Sequence, residues 1–269
     1  MTDKALVQKL KNRILKAARI SSAKNIKLGN MGSWSLLFGN IDWYIPELGL
    51  SCKGTCGEYC KGCFNKDNPK KSDCYVCKQY VRYSDKNIGI EKSKCTVKLG
   101  HAYRTLAITL FRNELLVSLH KQLTNMKKKF LTVRINESGE LTCYEDLEMW
   151  CKLAILHPET KFYIYTKNYP AVQNAVDNSI IPRNMFINIS VWHECGITEY
   201  KKMEKHPQIR AFVLLDSEWT VGKYAERKLT VDAICGAYNE FGVMNHNLTC
   251  DKCKLCYSQT RKVVGCYKH

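Results

Sequence analysis

The pattern of apolar and polar positions predicts amphipathic helices early in the chain and an alternation of strands and helices in its second half. Residues 1–20 and 102–127 repeat apolar side chains at helical spacing. From residue 130 onward, short β-rich runs alternate with amphipathic segments. The predicted strands are 130–135, Lys161–Thr166, Met185–Val191 and Ile209–Leu215. Because this alternation is typical of parallel βαβ units, we expect an α/β fold, either a partial (βα) barrel or a parallel sheet.

Polar side chains follow the predicted strands, where parallel α/β folds gather their active groups. The candidates for cofactor binding at these positions are Ser138, Gly139, Glu140 and Ser190. The candidates for catalysis are Glu140, His193 and Asp216. Polar residues end any strand, so ordinary strand termination is the alternative for each position taken alone.

The strongest chemical signal is a stretch rich in cysteine, glycine and lysine at 52–64. Within it, Cys56, Cys60 and Cys63 have the spacing C-x3-C-x2-C. The stretch is too polar and too flexible for a buried helix, and a loop that presents thiolates to one point fits it better. Thiolates that lie so close together repel one another unless a cation binds them. We therefore predict a metal or iron–sulfur loop, with disulfides or free thiols as the alternative.

A second cysteine group lies in the lysine-rich insertion that follows. Cys74 and Cys77 form a C-x2-C pair, and Cys95 comes later. Together with Cys52, these side chains could make a zinc site and leave the other three cysteines of the first stretch for another centre.

The C-terminal tail carries the third group. Cys250, Cys253 and Cys256 have the spacing C-x2-C-x2-C, and Cys266 and His269 lie beyond them. These soft ligands suit either a tetrahedral zinc or an iron–sulfur cluster, in a structural or a redox-active role. The predicted metal ligands of the whole chain are Cys52, Cys56, Cys60, Cys63, Cys74, Cys77, Cys95, Cys250, Cys253, Cys256 and Cys266.

Composition indicates the cellular location in which this chemistry would take place. The 269-residue chain lacks an apolar run of signal-peptide or membrane-span length, so we expect a cytoplasmic protein with no membrane partner. Its 15 cysteines would be reduced there, and clustered ones would bind metal. Cys143, Cys151 and Cys235 fall within apolar patterns, and we predict that they are simply buried.

The formal charge of +17 predicts attraction to a polyanion, with nucleic acid or a nucleotide as the first candidate. Tyr75, Tyr80 and Tyr83 alternate with Lys78 and Arg82, which would suit stacking on bases. General solubility explains the charge equally well, and an exposed amphipathic segment explains the tyrosine pattern.

Three regions follow from these features. They are a basic N-terminal helix and linker at 1–30, an α/β core at 31–245 with a cysteine-rich insertion at 52–95, and a cysteine-rich metal- or cluster-binding tail at 246–269.

The C-x3-C-x2-C loop ahead of a βα series resembles the radical S-adenosylmethionine superfamily. The resemblance implies that its three cysteines hold a [4Fe–4S] cluster whose open iron binds the cosubstrate. Ser138-Gly139-Glu140 stands where that superfamily has a Gly-Gly-Glu-like motif, which implies that Glu140 contacts the amino group of S-adenosylmethionine. Two features depart from the pattern: Gly62 precedes the last cysteine where an aromatic residue is usual, and the insertion with the additional Cys52 is unfamiliar.

A second set of short segments extends over residues 27–269. These segments are Lys27-Leu28-Gly29, Ser51-Cys52, Cys63-Phe64, Phe111-Arg112-Asn113, Arg134, Ser138-Gly139-Glu140, the stretch from Tyr163 to Lys167, and the terminal cysteines. Together they look like a bacteriophage protein family that is known by a gene-product number and has no established activity. The resemblance implies a cysteine-bound centre and a location in the host cytoplasm, but no particular reaction.

Three functions are consistent with these features. The first is a radical S-adenosylmethionine enzyme that generates a 5′-deoxyadenosyl radical, acts on a nucleotide or nucleic acid, requires an electron donor, and carries an auxiliary iron–sulfur cluster or zinc in its tail. The second is a zinc-stabilised nucleic-acid-binding phage protein without catalysis. The third is an iron–sulfur redox or scaffold protein without radical chemistry.

Overall fold

A computed structural model describes most of the chain. The described residues are 3–22, 28–57, 75–84, 90, 92–127, 129–192, 194–216, 218–237, 239–241, 243, 245 and 247–267. Cys60, Cys63, Cys74, His193 and His269 lie outside the described residues, as do the side chains of Tyr75 and Lys78.

Helices dominate the first half of the described chain, and strands alternate with helices in the second half. The helices are α1 (Asp3–Ala17), α2 (Tyr75–Tyr83), α3 (Thr96–Leu110), α4 (Arg112–Asn125), α5 (Tyr144–Leu156), α6 (Tyr169–Asp177), α7 (Glu194–Met203), α8 (Val221–Glu226) and α9 (Cys250–Cys253). The strands are β1 (Ser21–Ser22), β2 (Gly32–Ser33), β3 (Asp42–Ile45), β4 (Leu50–Lys53), β5 (Thr132–Ile135), β6 (Lys161–Thr166), β7 (Met185–Val191), β8 (Ile209–Leu215), β9 (Ala233–Ile234) and β10 (Val263–Tyr267).

The chain forms two compact units. The helical unit comprises Met1–Ile20, Trp34–Lys127 and Asn136–Leu153. The sheet unit comprises Ser21–Ser33, Lys128–Ile135 and Ala154–His269.

In the helical unit, α1, α3 and α4 pack against one another, and β3 and β4 form an antiparallel hairpin. An aromatic cluster of Phe38, Trp43 and Tyr80 fills the space beside the hairpin, with ring centroids 4.9 to 5.3 Å apart. The indole Nε1 of Trp43 donates a hydrogen bond to the carbonyl of Phe38 at 2.8 Å. Cys52 pairs with Trp43 across the hairpin, so the first predicted ligand belongs to a strand.

The single helix predicted over 102–127 is wrong, because the chain leaves the helical conformation at Phe111. That residue has φ −137° and ψ 40°, and it ends α3 and begins α4. Both helices contribute buried leucines, including Leu106 and Leu115. The spacing of apolar residues indicates which face of a helix is buried. Because α3 and α4 both bury leucines, that spacing continues past Phe111 and does not reveal where one helix ends and the next begins.

In the sheet unit, eight strands form one sheet in the order β1-β2-β5-β6-β7-β8-β10-β9. The β1–β2 pair is antiparallel, and the other neighbouring strands are parallel. The predicted α/β fold is therefore confirmed. From β5 to β8, strands adjacent in sequence are also adjacent in the sheet, which is the order of a (βα) barrel segment.

Different elements pack on different parts of the sheet. Helix α7 packs against β7 and β8. On another part of the sheet, Tyr163 and Phe186 form a buried cluster with Leu28, Met31 and Tyr257. Tyr257 belongs to the 3-10 turn Leu255–Tyr257, so the cysteine-rich tail packs on strands β6 and β7.

Candidate functional site

The first candidate site begins where the β3–β4 hairpin ends. Cys52 is buried in β4, and burial, with a smaller contribution from the charge of Asp42, raises the pKa of its thiol to about 11. Cys56 lies beyond the strand end and is half-buried. Its backbone N–H donates to the carbonyl of Gly39 at 3.1 Å. The first cysteine of the C-x3-C-x2-C motif is therefore held by the segment that precedes the hairpin.

The Ser138-Gly139-Glu140 loop is hydrogen-bonded to this cysteine segment. The N–H of Glu140 donates to Oγ1 of Thr55, the residue before Cys56, at 2.9 Å. The same Thr55 hydroxyl donates to the carbonyl of Leu37 at 2.9 Å. Two segments that the sequence separates by more than 80 residues thus share one hydroxyl group.

The polar side chains of this loop are buried and hydrogen-bonded. Ser138 donates through Oγ to the carbonyl of Leu36 at 2.9 Å, and the N–H of Leu36 donates to the carbonyl of Ser138 at 2.8 Å. Glu140 is 9% exposed, and its Oε1 accepts the N–H of Leu141 at 2.9 Å. A buried carboxylate that is oriented by a backbone donor can present negative charge in a fixed direction.

Gly139 permits the close approach of these two segments. Its φ is +78°, and a Cβ at this position would lie 2.5 Å from Oγ1 of Thr55 and 2.7 Å from Cβ of Leu36. Any other residue at position 139 would have a strained left-handed backbone, and its Cβ would clash with Thr55 and Leu36.

We expect Gly139→Ala to lower the free energy of unfolding by about 2–4 kcal/mol, from left-handed strain and overpacking together. The matched control is Gly49→Ala, because Gly49 has φ +64° but no atom within 4 Å of a built Cβ. That control should cost only about 1 kcal/mol. Urea unfolding of both variants measures the difference, and equal costs would contradict the close approach at Gly139.

Other predicted ligands in the helical unit are buried in separate elements. Cys77 lies in α2, and Cys95 immediately precedes α3. Within the part of the chain that the structure describes, no group of three or more Cys, His, Asp or Glu side chains is arranged to hold a metal ion as it stands. The zinc site with Cys52 and Cys74 stays a prediction, since Cys74 lies outside the described residues.

A buried histidine beside this region has a structural explanation. Nδ1 of His101 lies 2.7 Å from the hydroxyl of Tyr80. Burial, assisted by the positive charge of Arg104, lowers the pKa of His101 to about 3. The imidazole is therefore neutral in the folded protein at any physiological pH.

His101 should make the protein sensitive to acid. The unfolded chain binds a proton at this histidine below about pH 6.5, whereas the folded chain does so only near pH 3. The free energy of unfolding should therefore fall on acidification through this window, by up to about 1.4 kcal/mol per pH unit. Urea unfolding at several pH values should show a shallower pH dependence of the free energy of unfolding in His101→Gln than in the unmodified protein. An unchanged pH dependence in His101→Gln would contradict the assignment.

The predicted residues at the ends of β7 and β8 have local roles. The carbonyl of Ser190 accepts the hydroxyl of Tyr169 at 3.0 Å. Oδ1 of Asp216 accepts the N–H groups of Glu218 and Trp219 at 2.9 and 2.8 Å, which closes a turn after β8. His193 lies outside the described residues, so the catalytic predictions for it and for Asp216 stay predictions.

Each of these two strand ends also has a lysine over a tryptophan ring. Nζ of Lys167, after β6, lies 3.6 Å from the ring centroid of Trp192, which follows β7. Nζ of Lys223 lies 4.8 Å from the ring centroid of Trp219. Basic and aromatic groups in this combination suit binding to nucleotides.

The second candidate site is the cysteine-rich tail of the sheet unit. Lys254 has φ +62°, and this left-handed residue reverses the chain between α9 and the 3-10 turn that carries Cys256. The carbonyl of Cys250 accepts the N–H of Lys254 at 3.0 Å and the hydroxyl of Tyr257 at 3.1 Å. Nδ2 of Asn188 donates to the carbonyl of Cys256 at 3.1 Å. The tail is thus held by hydrogen bonds within itself and by the side-chain amide of Asn188 in β7.

The structure adds one cysteine that sequence reasoning treated as simply buried. Cys235 follows β9, and its N–H donates to the carbonyl of Gly265 in β10 at 2.7 Å. It shares a buried cluster with Cys266 and Val264. No spacing motif links Cys235 to the tail cysteines, so the pairing of β9 with β10 is the signal that finds it.

None of the described helices is long and apolar enough to cross a bilayer. No curated protein and no solved structure matches the chain. The family model described as Gene product 88 matches residues 6–259, so the chain belongs to the Gene product 88 family of phage proteins.

Proposed function

We propose that this phage protein is an iron–sulfur enzyme of the radical S-adenosylmethionine type. The observation that supports the proposal best is the hydrogen bond between Glu140 N–H and Thr55 Oγ1, which joins the Ser-Gly-Glu loop to the residue before Cys56. In the chain, the cysteine loop follows the β3–β4 hairpin, and the Ser-Gly-Glu loop follows strand β5. The radical S-adenosylmethionine superfamily likewise has its cysteine loop ahead of its Gly-Gly-Glu-like motif.

The donor set fits the proposed cluster. Cys56, Cys60 and Cys63 would supply three thiolates and leave one iron free for the cosubstrate. When bound and reduced by an electron donor, the cluster supplies the electron that cleaves S-adenosylmethionine. Of the three ligands, Cys56 lies among the described residues, where its backbone N–H donates to the carbonyl of Gly39 and the adjacent Thr55 bonds to the Ser-Gly-Glu loop.

The chain's own residues would bind and orient the cosubstrate. The carboxylate of Glu140, held by the N–H of Leu141, would accept the amino group of the methionyl moiety. Gly139 lets the loop approach Thr55 without a side chain in the way. Burial of this loop would keep water from the reacting groups.

An anaerobic purification with iron, sulfide and zinc analysis tests the proposal. We expect iron and acid-labile sulfide in similar amounts, about four of each per chain for the loop cluster. An absorption band from thiolate-to-iron charge transfer should accompany them. Zinc without iron or colour would overturn the proposal. A cluster that never cleaves S-adenosylmethionine would instead indicate a redox or scaffold protein without radical chemistry.

The lysine–tryptophan pairs favour a second candidate, a zinc-stabilised nucleic-acid-binding protein without catalysis. Lys167 with Trp192 and Lys223 with Trp219 combine charge and aromatic surface on a chain of formal charge +17. Binding should weaken steeply with salt, and Lys167→Ala should lower the salt slope. Lys152→Ala is the matched control, because Lys152 pairs with Glu148. Under the enzyme proposal, the same surface would bind a nucleotide or nucleic-acid substrate.

A further inference from the structure

A surface cavity lies where helices α1 and α4 end. Its volume is about 400 Å³, and the residues that line it are Arg19, Ser118, Lys121, Gln122, Asn125 and Met126. Arg19 comes shortly after α1, and the other five residues belong to the last turns of α4 and to its C-cap. All of them lie in the helical unit. A cavity of this size can hold one small ligand.

The backbone at the edge of this cavity is held by two side chains. Oε1 of Gln122 accepts the N–H of Ile20 at 3.0 Å, and its Nε2 donates to the carbonyl of Ile20 at 2.6 Å. Nε of Arg104 donates to the carbonyl of Arg19 at 3.0 Å. The segment after α1 is therefore tied to α4, and Arg19 extends from a fixed backbone.

The other polar groups of the cavity are donors of the kind that bind phosphate. Arg19 and Lys121 are cationic, and no residue of the lining is acidic. Ser118 and Asn125 add a hydroxyl and an amide. Within the described part of the chain, none of these four side chains forms a hydrogen bond or an ion pair. Arginine, lysine, serine and asparagine are common donors to phosphate oxygens.

Positive charge is concentrated on the two segments that form the cavity. Residues 4–22 and 115–136 contain lysine and arginine but no aspartate or glutamate. Glu114, just ahead of the second segment, is paired with Lys11. The acidic residues of the chain therefore leave the charge around the cavity uncompensated.

The helix dipoles account for only part of this charge. Two helices end at the cavity, and their C-terminal dipoles together correspond to roughly one negative charge. Arg19, Lys121 and Lys16, which lies in the last turn of α1, carry more positive charge than that. A net positive charge remains and favours an anionic ligand.

We propose that this cavity binds a phosphoryl group, carried either by a free nucleotide or by a nucleic-acid strand. Arg19 and Lys121 would neutralise the phosphate, and Ser118 and Asn125 would donate hydrogen bonds to its other oxygens. The proposal goes beyond the proposed cluster enzyme, since it requires neither Cys56 nor cleavage of S-adenosylmethionine. It adds a binding site on the helical unit, whereas the lysine–tryptophan pairs belong to the sheet unit.

Binding measurements on the full-length protein test the proposal with two probes, adenosine 5′-monophosphate and a fluorescent single-stranded DNA. Adenosine, which lacks the phosphate, should bind at least about 10-fold more weakly than the monophosphate if a free nucleotide is the ligand. Arg19→Gln and Lys121→Gln should each weaken binding of the phosphate-bearing ligand about 10-fold. Both side chains are exposed, so these variants should fold normally.

Lys9→Gln is the matched control, because Lys9 is exposed on α1 and does not line the cavity. Its affinity should change less than about twofold. Weaker monophosphate binding in Arg19→Gln assigns the site to a free nucleotide, and weaker binding of DNA alone assigns it to a strand. An unchanged affinity in Arg19→Gln and Lys121→Gln, or an equal loss in Lys9→Gln, would overturn the site.

A footprinting measurement uses the unmodified protein and does not depend on any variant. Lysines are acetylated with an activated ester, and the rate at each position is read by mass spectrometry. Saturation with the probe that binds should slow acetylation of Lys121 several-fold and leave Lys9 at its original rate. Equal rates at Lys121 with and without the probe would overturn the proposal.

Discussion

Cys56→Ala should abolish most of the iron and sulfide bound by the anaerobically purified protein, together with any cleavage of S-adenosylmethionine. Removal of this thiolate leaves a [4Fe–4S] cluster with only two of its three protein ligands. The Cys56 N–H donates to the carbonyl of Gly39, and the preceding Thr55 accepts the N–H of Glu140, so the thiolate is presented from a fixed segment.

The matched control is Cys195→Ala. Cys195 is exposed on α7 and belongs to none of the predicted ligand motifs, so its removal should leave iron and sulfide unchanged. Iron, sulfide and zinc are measured on both variants side by side. Cys56→Ala protein with undiminished iron and sulfide would contradict the assignment of the loop as a cluster ligand.

Asp146→Asn should lower the free energy of unfolding by about 3–5 kcal/mol, because it breaks a buried charge network. Asp146 is fully buried, and its Oδ1 accepts Nε and Nη2 of Arg112 at 3.0 and 2.8 Å. Its Oδ2 accepts the N–H and Oγ1 of Thr142 at 2.9 and 2.5 Å. An asparagine retains the shape but loses the charge and one of the two acceptors.

Asp177→Asn is the control for this change. Asp177 is exposed and accepts one hydrogen bond, from Gln173 at 2.8 Å. Its substitution should cost less than about 0.5 kcal/mol. Urea unfolding of the two variants gives both values. A cost below 1 kcal/mol for Asp146→Asn would mean that the Arg112 pair contributes little.

The sheet could be predicted because its strands are short apolar runs between polar turns. β6, β7 and β8 begin and end at the predicted residues, and β5 lies within 130–135. Capping was less predictable. Thr142 and Glu145 have the spacing of a capping box, whereas the structure pairs Thr142 with Asp146. Both acidic residues are near the helix start, and only the position of Arg112 in space selects Asp146.

The candidate sites could be predicted only where spacing carries the signal. The motif residues Cys56 and Glu140 stand out in the sequence, but their link through Thr55 depends on a turn at Gly139 that no spacing rule reveals. The position of Cys235 beside Cys266 was not predictable, because the pairing of β9 with β10 and not a spacing motif brings the two together. The burial of Arg210 was not predictable either, since an arginine within an apolar strand gives no sign that the carbonyl of Ser258 accepts its guanidinium.

Cleavage of S-adenosylmethionine by the anaerobic, dithionite-reduced protein tests the proposed function most directly. The proposal predicts formation of 5′-deoxyadenosine and methionine by the unmodified protein and by Cys195→Ala, and no formation by Cys56→Ala. The amount of product should depend on the iron content and vanish in air-oxidised samples. A protein that carries about four iron and four sulfide per chain, is reduced, and still forms no 5′-deoxyadenosine would contradict the radical mechanism.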